Sequence, residues 1–241
     1  MITENLKNKH VVIVGGSSGI GRAVARIAHE LGARVTLTGT GAPAARATAQ
    51  TIGAEVQSAA LDVNDEQQVN GFFAQLPAID HVYVAAGSTK LGGILEGDLD
   101  QLMAPFHERL VGSVRVVRAA AGKINPGGSI TFTGGVSTDR PVPGAWVSGI
   151  GTAAAEQLAR VMALELAPIR FNAVAPGYTD TPMWDKVLGE NKRAVLEGVA
   201  GKLPVRKIAT PEEVASAVVF MMVNLSITGE IIHVDGGARL V

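Results

Sequence analysis

Residues 10–31 read HVVIVGGSSGIGRAVARIAHEL, and this stretch decides the fold. Val11 to Val14 form an unbroken apolar run, the pattern of a strand covered on both faces. Residues 22–31 follow with apolar positions at helical spacing. Between them lie Gly15, Gly16, Ser17, Ser18, Gly19, Ile20 and Gly21. Gly15 permits a tight strand-to-helix turn, Gly19 lets backbone approach a pyrophosphate, and Gly21 lets the helix lie close to the sheet. The start of the helix then offers unpaired N–H groups and a positive dipole end to phosphate. A glycine cluster elsewhere is an ordinary turn. After the first strand and at the head of the first helix, it points to dinucleotide binding.

The rest of the chain suits that opening. Short apolar runs at 10–14, 34–38, 55–61, 81–85, 129–133, 170–174 and 230–234 alternate with helical patterns at 20–31, 42–52, 66–75, 99–124, 144–166 and 211–223. This alternation implies βαβ units and an α/β fold: a single-domain, Rossmann-like, doubly wound sheet of about seven parallel strands flanked by helices. The domain is expected to span residues 1–241, with 180–207 as an insertion over the substrate side of the sheet. Pro105 is expected to kink or break the fourth helix. Thr210-Pro211-Glu212-Glu213 reads as a helix start, with a Thr cap, Pro in the first turn and two acids at the positive end of the dipole.

Composition narrows the functional classes. The 241 residues are 47% hydrophobic and 18% charged, enough apolar material for a large core and too little charge for a disordered chain. A net charge of −1 with dispersed basic residues gives no nucleic-acid or membrane surface. With no cysteine, disulfides and thiolate chemistry are excluded. Five histidines without ligand spacing suggest no metal site. The start of the chain lacks the basic-then-apolar pattern of a signal peptide, so a cytoplasmic location is expected.

Several segments beyond the glycine turn resemble the short-chain dehydrogenase/reductase family. The three residues between Gly15 and Gly19 match that family's spacing. Asp62 and Val63 follow the third strand, where the family uses an Asp toward adenine. Ala85-Ala86-Gly87 stands where Asn-Ala-Gly is usual, and Pro176-Gly177-Tyr178-Thr179-Asp180-Thr181 matches the Pro-Gly loop that cups the nicotinamide. The resemblance implies that Gly15, Ser17, Ser18, Gly19, Ile20, Gly21, Gly39, Thr40, Asp62, Val63, Ala85, Ala86, Gly87, Pro176, Gly177, Thr179 and Thr181 bind cofactor. An acid after the second strand would select NAD(H) through the ribose diol. Thr38-Gly39-Thr40-Gly41 offers no acid and no cation, apart from Arg46 nearby, so the reading leans slightly to NADP(H) over NAD(H).

The same resemblance exposes vacancies. The family sets a Ser, then a Tyr with a Lys four residues later, beside the nicotinamide. Here those positions are Gly135, Ser148 and Thr152, and Arg109 replaces an Asn on the fourth helix. No shift of register restores the set: no Lys occurs between Lys123 and Lys186, and the tyrosines are Tyr83 and Tyr178. A serine hydroxyl is too weak an acid for the Tyr role. Ser148, Arg109 and Tyr178 are therefore the candidate catalytic residues. His107 and the loop pair Asp139-Arg140 are further candidates, and a bland alternative stands beside these and two of the others: Arg109 in a salt bridge with Glu108 or Asp139, Tyr178 as a packing aromatic, Asp139 paired with Arg140 or solvated, His107 on the surface.

Three functions fit these residues. The first is an NAD(P)(H)-dependent oxidoreductase acting on an unknown carbonyl or alcohol with an atypical proton donor. The second is a cofactor-binding protein without redox turnover, and the third is a non-redox enzyme reusing the pocket. Runs of small residues such as Ala119-Ala120-Ala121 and Ala153-Ala154-Ala155, on helices that pair between subunits in the resembled family, imply a homo-oligomer, a dimer or tetramer.

Overall fold

The structure, a computed structural model, describes residues 6–241. Strands β1 (His10–Val14), β2 (Arg34–Gly39), β3 (Gln57–Ala60), β4 (Ile79–Val84), β5 (Ile124–Thr133), β6 (Arg170–Pro176) and β7 (Ile231–Val234) form one parallel sheet ordered β3-β2-β1-β4-β5-β6-β7. The chain winds outward in both directions from β1, whose Val12 pairs with Thr36 of β2 and Val82 of β4. Where the order reverses, the flanking helices diverge and leave a crevice at the carboxyl ends of the strands.

The apolar run of β1 divides by strand alternation. Val11 and Ile13 enter a core with Val24 and Ala28 of α1 (Gly19–Glu30) and Val214 and Val218 of α9 (Pro211–Val223). Val12 and Val14 enter the opposite core with Phe73 of α3 (Glu66–Gln75) and Val116 and Val117 of α5 (Gly112–Ala120). All four valine and isoleucine side chains are fully buried, each contributing roughly 1.5–3 kcal/mol relative to exposure. The first layer also holds α2 (Ala42–Ile52), and the second holds α6 (Trp146–Glu165) with α4 (Leu99–Phe106) packed on it. Over residues 180–207 lie two short helices, α7 (Pro182–Leu188) and α8 (Lys192–Ala200), and the single bridge Thr179–Ala209 closes that segment at its base.

The capping box at α9 forms as the sequence implies: Thr210 Oγ1 accepts from Glu213 N–H and the Glu213 carboxylate accepts from Thr210 N–H. At the other end of α9, buried Arg170 of β6 donates to the Met221 and Met222 carbonyls, both at 2.7 Å, satisfying acceptors that the helix leaves open.

Two expectations change. Helix 99–124 is not one element: Pro105 lies inside α4, the chain continues helically, and residues His107–Val111 make a widened π-helical turn before α5. Pro105 leaves the Gln101 carbonyl without its helical donor, and Lys90 Nζ lies 3.5 Å from that oxygen, while the helix continues. β5 starts at Ile124 instead of 129, because Ile124 already pairs with Ile79 before a register shift brings His81 opposite Ser129.

That last pairing buries a titratable group. His81, 4% exposed, has Nδ1 2.9 Å from Ser129 Oγ. Burial, with a smaller contribution from Arg170, lowers its pKa from 6.5 to about 4. The unfolded chain therefore binds more protons between those values, and stability held above pH 6.5 is lost as pH falls toward 4. The loss is on the order of 3 kcal/mol. Urea titrations from pH 7 to 4 should show this decline in the wild type and a flatter one in His81→Gln; parallel profiles would assign the decline to other groups.

Candidate functional site

The turn after β1 is built by exclusion of side chains. Gly15 has φ +88°, and a Cβ there would stand 2.7 Å from the Ala86 nitrogen; a Cβ on Gly21 would stand 2.2 Å from the Gly15 oxygen. The head of α1 thus lies against the turn itself. Ser18, the residue before α1, is extended and makes no side-chain cap, so the first-turn N–H groups are left for another acceptor. These are features that fit an anionic pyrophosphate.

A cavity of about 330 Å³ runs from this turn across the carboxyl ends of β4, β5 and β6. Of the expected cofactor residues, Gly15, Ser18, Gly19, Ile20, Gly21, Ala85, Gly87, Pro176, Gly177, Thr179 and Thr181 line it. Ser17, Gly39, Thr40, Asp62, Val63 and Ala86 do not: Ser17 packs against Gly39, and Val63 packs beneath Gly112 at the start of α5. Thr40 and Arg46 are exposed. Asp62 accepts from Asn64 N–H.

The three catalytic candidates, Ser148, Arg109 and Tyr178, share the wall with Gly135 and Thr152. Ser148, at 8% exposure, has a buried hydroxyl with no hydrogen-bond partner. Thr152 turns its hydroxyl back onto its own helix, donating to the Ser148 carbonyl at 3.0 Å. Tyr178 stacks on Trp184 of α7, ring centroids 5.1 Å apart. Tyr83 also reaches the wall; its hydroxyl is hydrogen-bonded to Thr133 Oγ1 at 2.9 Å, and burial raises its pKa to about 12. Such a phenol is a poor proton donor at neutral pH.

Arg109 is not in either ion pair weighed from the sequence. Glu108 accepts from Ser88 N–H at 2.9 Å, and Asp139 lies 3.0 Å from His233 Nε2, not on Arg140. His107 is exposed. The Arg109 guanidinium instead donates from Nη1 to the Thr133 carbonyl at 2.8 Å. Two glycines make room for it: a Cβ on Gly87 would be 3.2 Å from Cζ, and one on Gly151 would be 3.5 Å from Cδ. Burial lowers its pKa, yet a guanidinium keeps its charge in proteins.

A further group escaped the sequence reading. Glu156, 3% exposed, follows Ser148 and Thr152 at successive four-residue steps, which places all three on one stripe of α6. Its Oε1 accepts from Gly135 N–H and from Thr138 Oγ1, each at 3.0 Å. Burial raises its pKa. The carboxylate fills space that side chains at 134 and 135 would need: a Cβ on Gly134 would be 2.4 Å from Oε1. The signal was present in the spacing, but an acid within an apolar helical stripe carries no signature of its own.

This fit is measurable. Gly134→Ala should destabilise the protein by about 1–3 kcal/mol through overpacking, and by much less in a Glu156→Ala background. A double-mutant cycle read by chemical denaturation checks it; additive effects would show that the two positions do not meet.

Comparison with known proteins agrees with this geometry. The family model described as enoyl-(acyl carrier protein) reductase matches residues 14–239. The chain is 31% identical over 252 residues to the short-chain dehydrogenase/reductase ATR9 of Stachybotrys chlorohalonatus, covering 98% of each. Among solved structures, the MalC reductase/Diels-Alderase of Malbranchea aurantiaca superposes with a TM-score of 0.92 at 27% identity, over 100% of both chains. A small-chain dehydrogenase in complex with NADPH gives 0.82 at 30% identity, covering 98% of this chain and 100% of that one. With a seven-stranded parallel sheet, a glycine turn at its switch point and matches along nearly its whole length, this chain belongs to the short-chain dehydrogenase/reductase family.

Proposed function

We propose that the protein is an NAD(P)(H)-dependent oxidoreductase acting on a carbonyl or alcohol, with a proton donor other than the family's usual Tyr. The observation that carries this reading is that one cavity joins the uncapped head of α1 to the wall bearing Arg109, Ser148 and Tyr178. When bound, the nicotinamide supplies or accepts a hydride. The residues of this chain do the rest. The first turn of α1 holds phosphate, and the Pro176-Gly177 loop bounds the cavity beyond β6. NADP(H) is preferred slightly over NAD(H), since no acid follows β2 to repel a 2′-phosphate and a family relative was solved with NADPH.

At the reacting oxygen, the unpartnered Ser148 hydroxyl donates a hydrogen bond. Arg109 holds a fixed positive charge alongside, worth more in this part-buried wall than in open water. Tyr178 supplies the proton, because the other phenol on the wall is fixed by Thr133 and has its pKa raised. Binding monitored by NADPH and NADH fluorescence, then loss of NADPH absorbance across a panel of ketones and aldehydes, tests the proposal. Both nucleotides should bind, NADPH more tightly, and Tyr178→Phe should lower turnover by roughly 10²–10⁴. No affinity for either nucleotide would overturn the reading.

Binding without redox turnover would return a cofactor-binding protein. Turnover without change in cofactor oxidation state would return a non-redox enzyme, a possibility given weight by the two reactions in MalC's description. We also propose a homo-oligomer, since α6 exposes Ile150, Val161 and Leu164, the last 85% accessible. Light scattering should give a dimer or tetramer mass.

A further inference from the structure

Arg109 stands apart among the side chains of the cavity. Among the described residues, the cavity wall carries no Asp, Glu, Lys or His, and Arg109 is its single charged side chain. Only Nη1 of that guanidinium meets a protein acceptor, the Thr133 carbonyl. Nε and Nη2 meet none, and no carboxylate lies within ion-pair distance among the described residues. The nearby acids are committed elsewhere, Glu108 to Ser88 and Glu156 to Gly135 and Thr138.

The guanidinium is part-buried, and Glu108 and Glu156 act on it only from beyond ion-pair distance, so an anion that reaches its free edge gains a charge-assisted hydrogen-bond partner. Nε and Nη2 form one edge of the planar guanidinium, with two N–H groups spaced for the two oxygens of a carboxylate. Gly87 and Gly151 seat the group closely, so the fork is preset instead of searching for a partner. On the same wall, the Ser148 hydroxyl lacks a partner. Apolar side chains Leu91, Val142, Met183, Trp184 and Leu188 line the same space.

We infer that Arg109 is a carboxylate receptor and that the substrate is an apolar carboxylic acid. Resting on the redox reading above, the substrate class becomes an oxo or hydroxy acid, its carboxylate on the Arg109 fork and its reacting oxygen on Ser148. The receptor itself requires no turnover.

The test therefore uses binding. Octanoate and octanamide share an apolar chain and differ in the head group. Titrated by calorimetry into the protein with and without saturating NADPH, octanoate should bind at least tenfold more tightly than octanamide. Arg109→Gln should remove that preference and leave NADPH affinity within about twofold. Arg109→Lys keeps charge but loses the fork, and should retain only part of the preference; it decides the matter if the Gln variant does not fold. Equal binding of the two probes, or a preference that survives both variants, overturns the proposal. So does a loss of NADPH affinity in Arg109→Gln with no head-group preference in the wild type, which would assign the guanidinium to the cofactor. Octanoate selectivity in a protein that binds no nucleotide would instead sink the redox reading and leave the receptor standing.

Discussion

Close backbone approach at the first βα turn is the constraint from which the rest of this molecule follows. The head of α1 rests against the Gly15 carbonyl because nothing projects from Gly21, and Gly15 fits beneath the chain leaving β4 because nothing projects from it either. These contacts fix where α1 starts, and α1 in turn packs along α9 on one face of the sheet. A cavity at the carboxyl ends is the residual space between that helix head, the strand ends and the α7–α8 segment. Its depth is set by glycines and its chemistry by what reaches into it.

What reaches in is a matter of a few side chains set among small ones. The resemblance would put the hydroxyl, phenol and ammonium positions at Gly135, Ser148 and Thr152, and none of these residues projects an acid or a cation. Two longer side chains pack against glycines beside these positions. Arg109 enters from the widened turn between α4 and α5, over Gly87 and Gly151, and Glu156 enters from one turn further along α6, beneath Gly134. The small residues and the large ones are therefore one arrangement. The carboxylate stays behind the wall on backbone N–H and Thr138, whereas the guanidinium stays on it.

The fold was readable because its signals are local. The turn glycines, the apolar strand runs and the Thr210 capping box each act within a few residues, and α2, α3 and α9 have the limits that spacing implies. The site was readable as far as its backbone loops. Side-chain partners were not, because they depend on separations of twenty residues or more, as between Ser88 and Glu108 or between Asp139 and His233. Adjacent opposite charges at 139 and 140 suggested a pair, but neighbours in a loop point apart more readily than two side chains from packed elements. Pro105 was informative only in part, for a related reason. Its missing donor says that the ladder must change, not whether it breaks or widens.

That widening carries a lesson about how such a site arises. An α-helix turns by about 100° per residue, so a helix with one residue fewer between 107 and 111 would carry the Arg109 side chain round to a different face. Charge in this cavity therefore hangs on a bulge in a helix as much as on the codon for arginine. Insertion or deletion of one residue far from the glycine turn would be enough to give the pocket its cation or take it away, with every wall residue left unchanged.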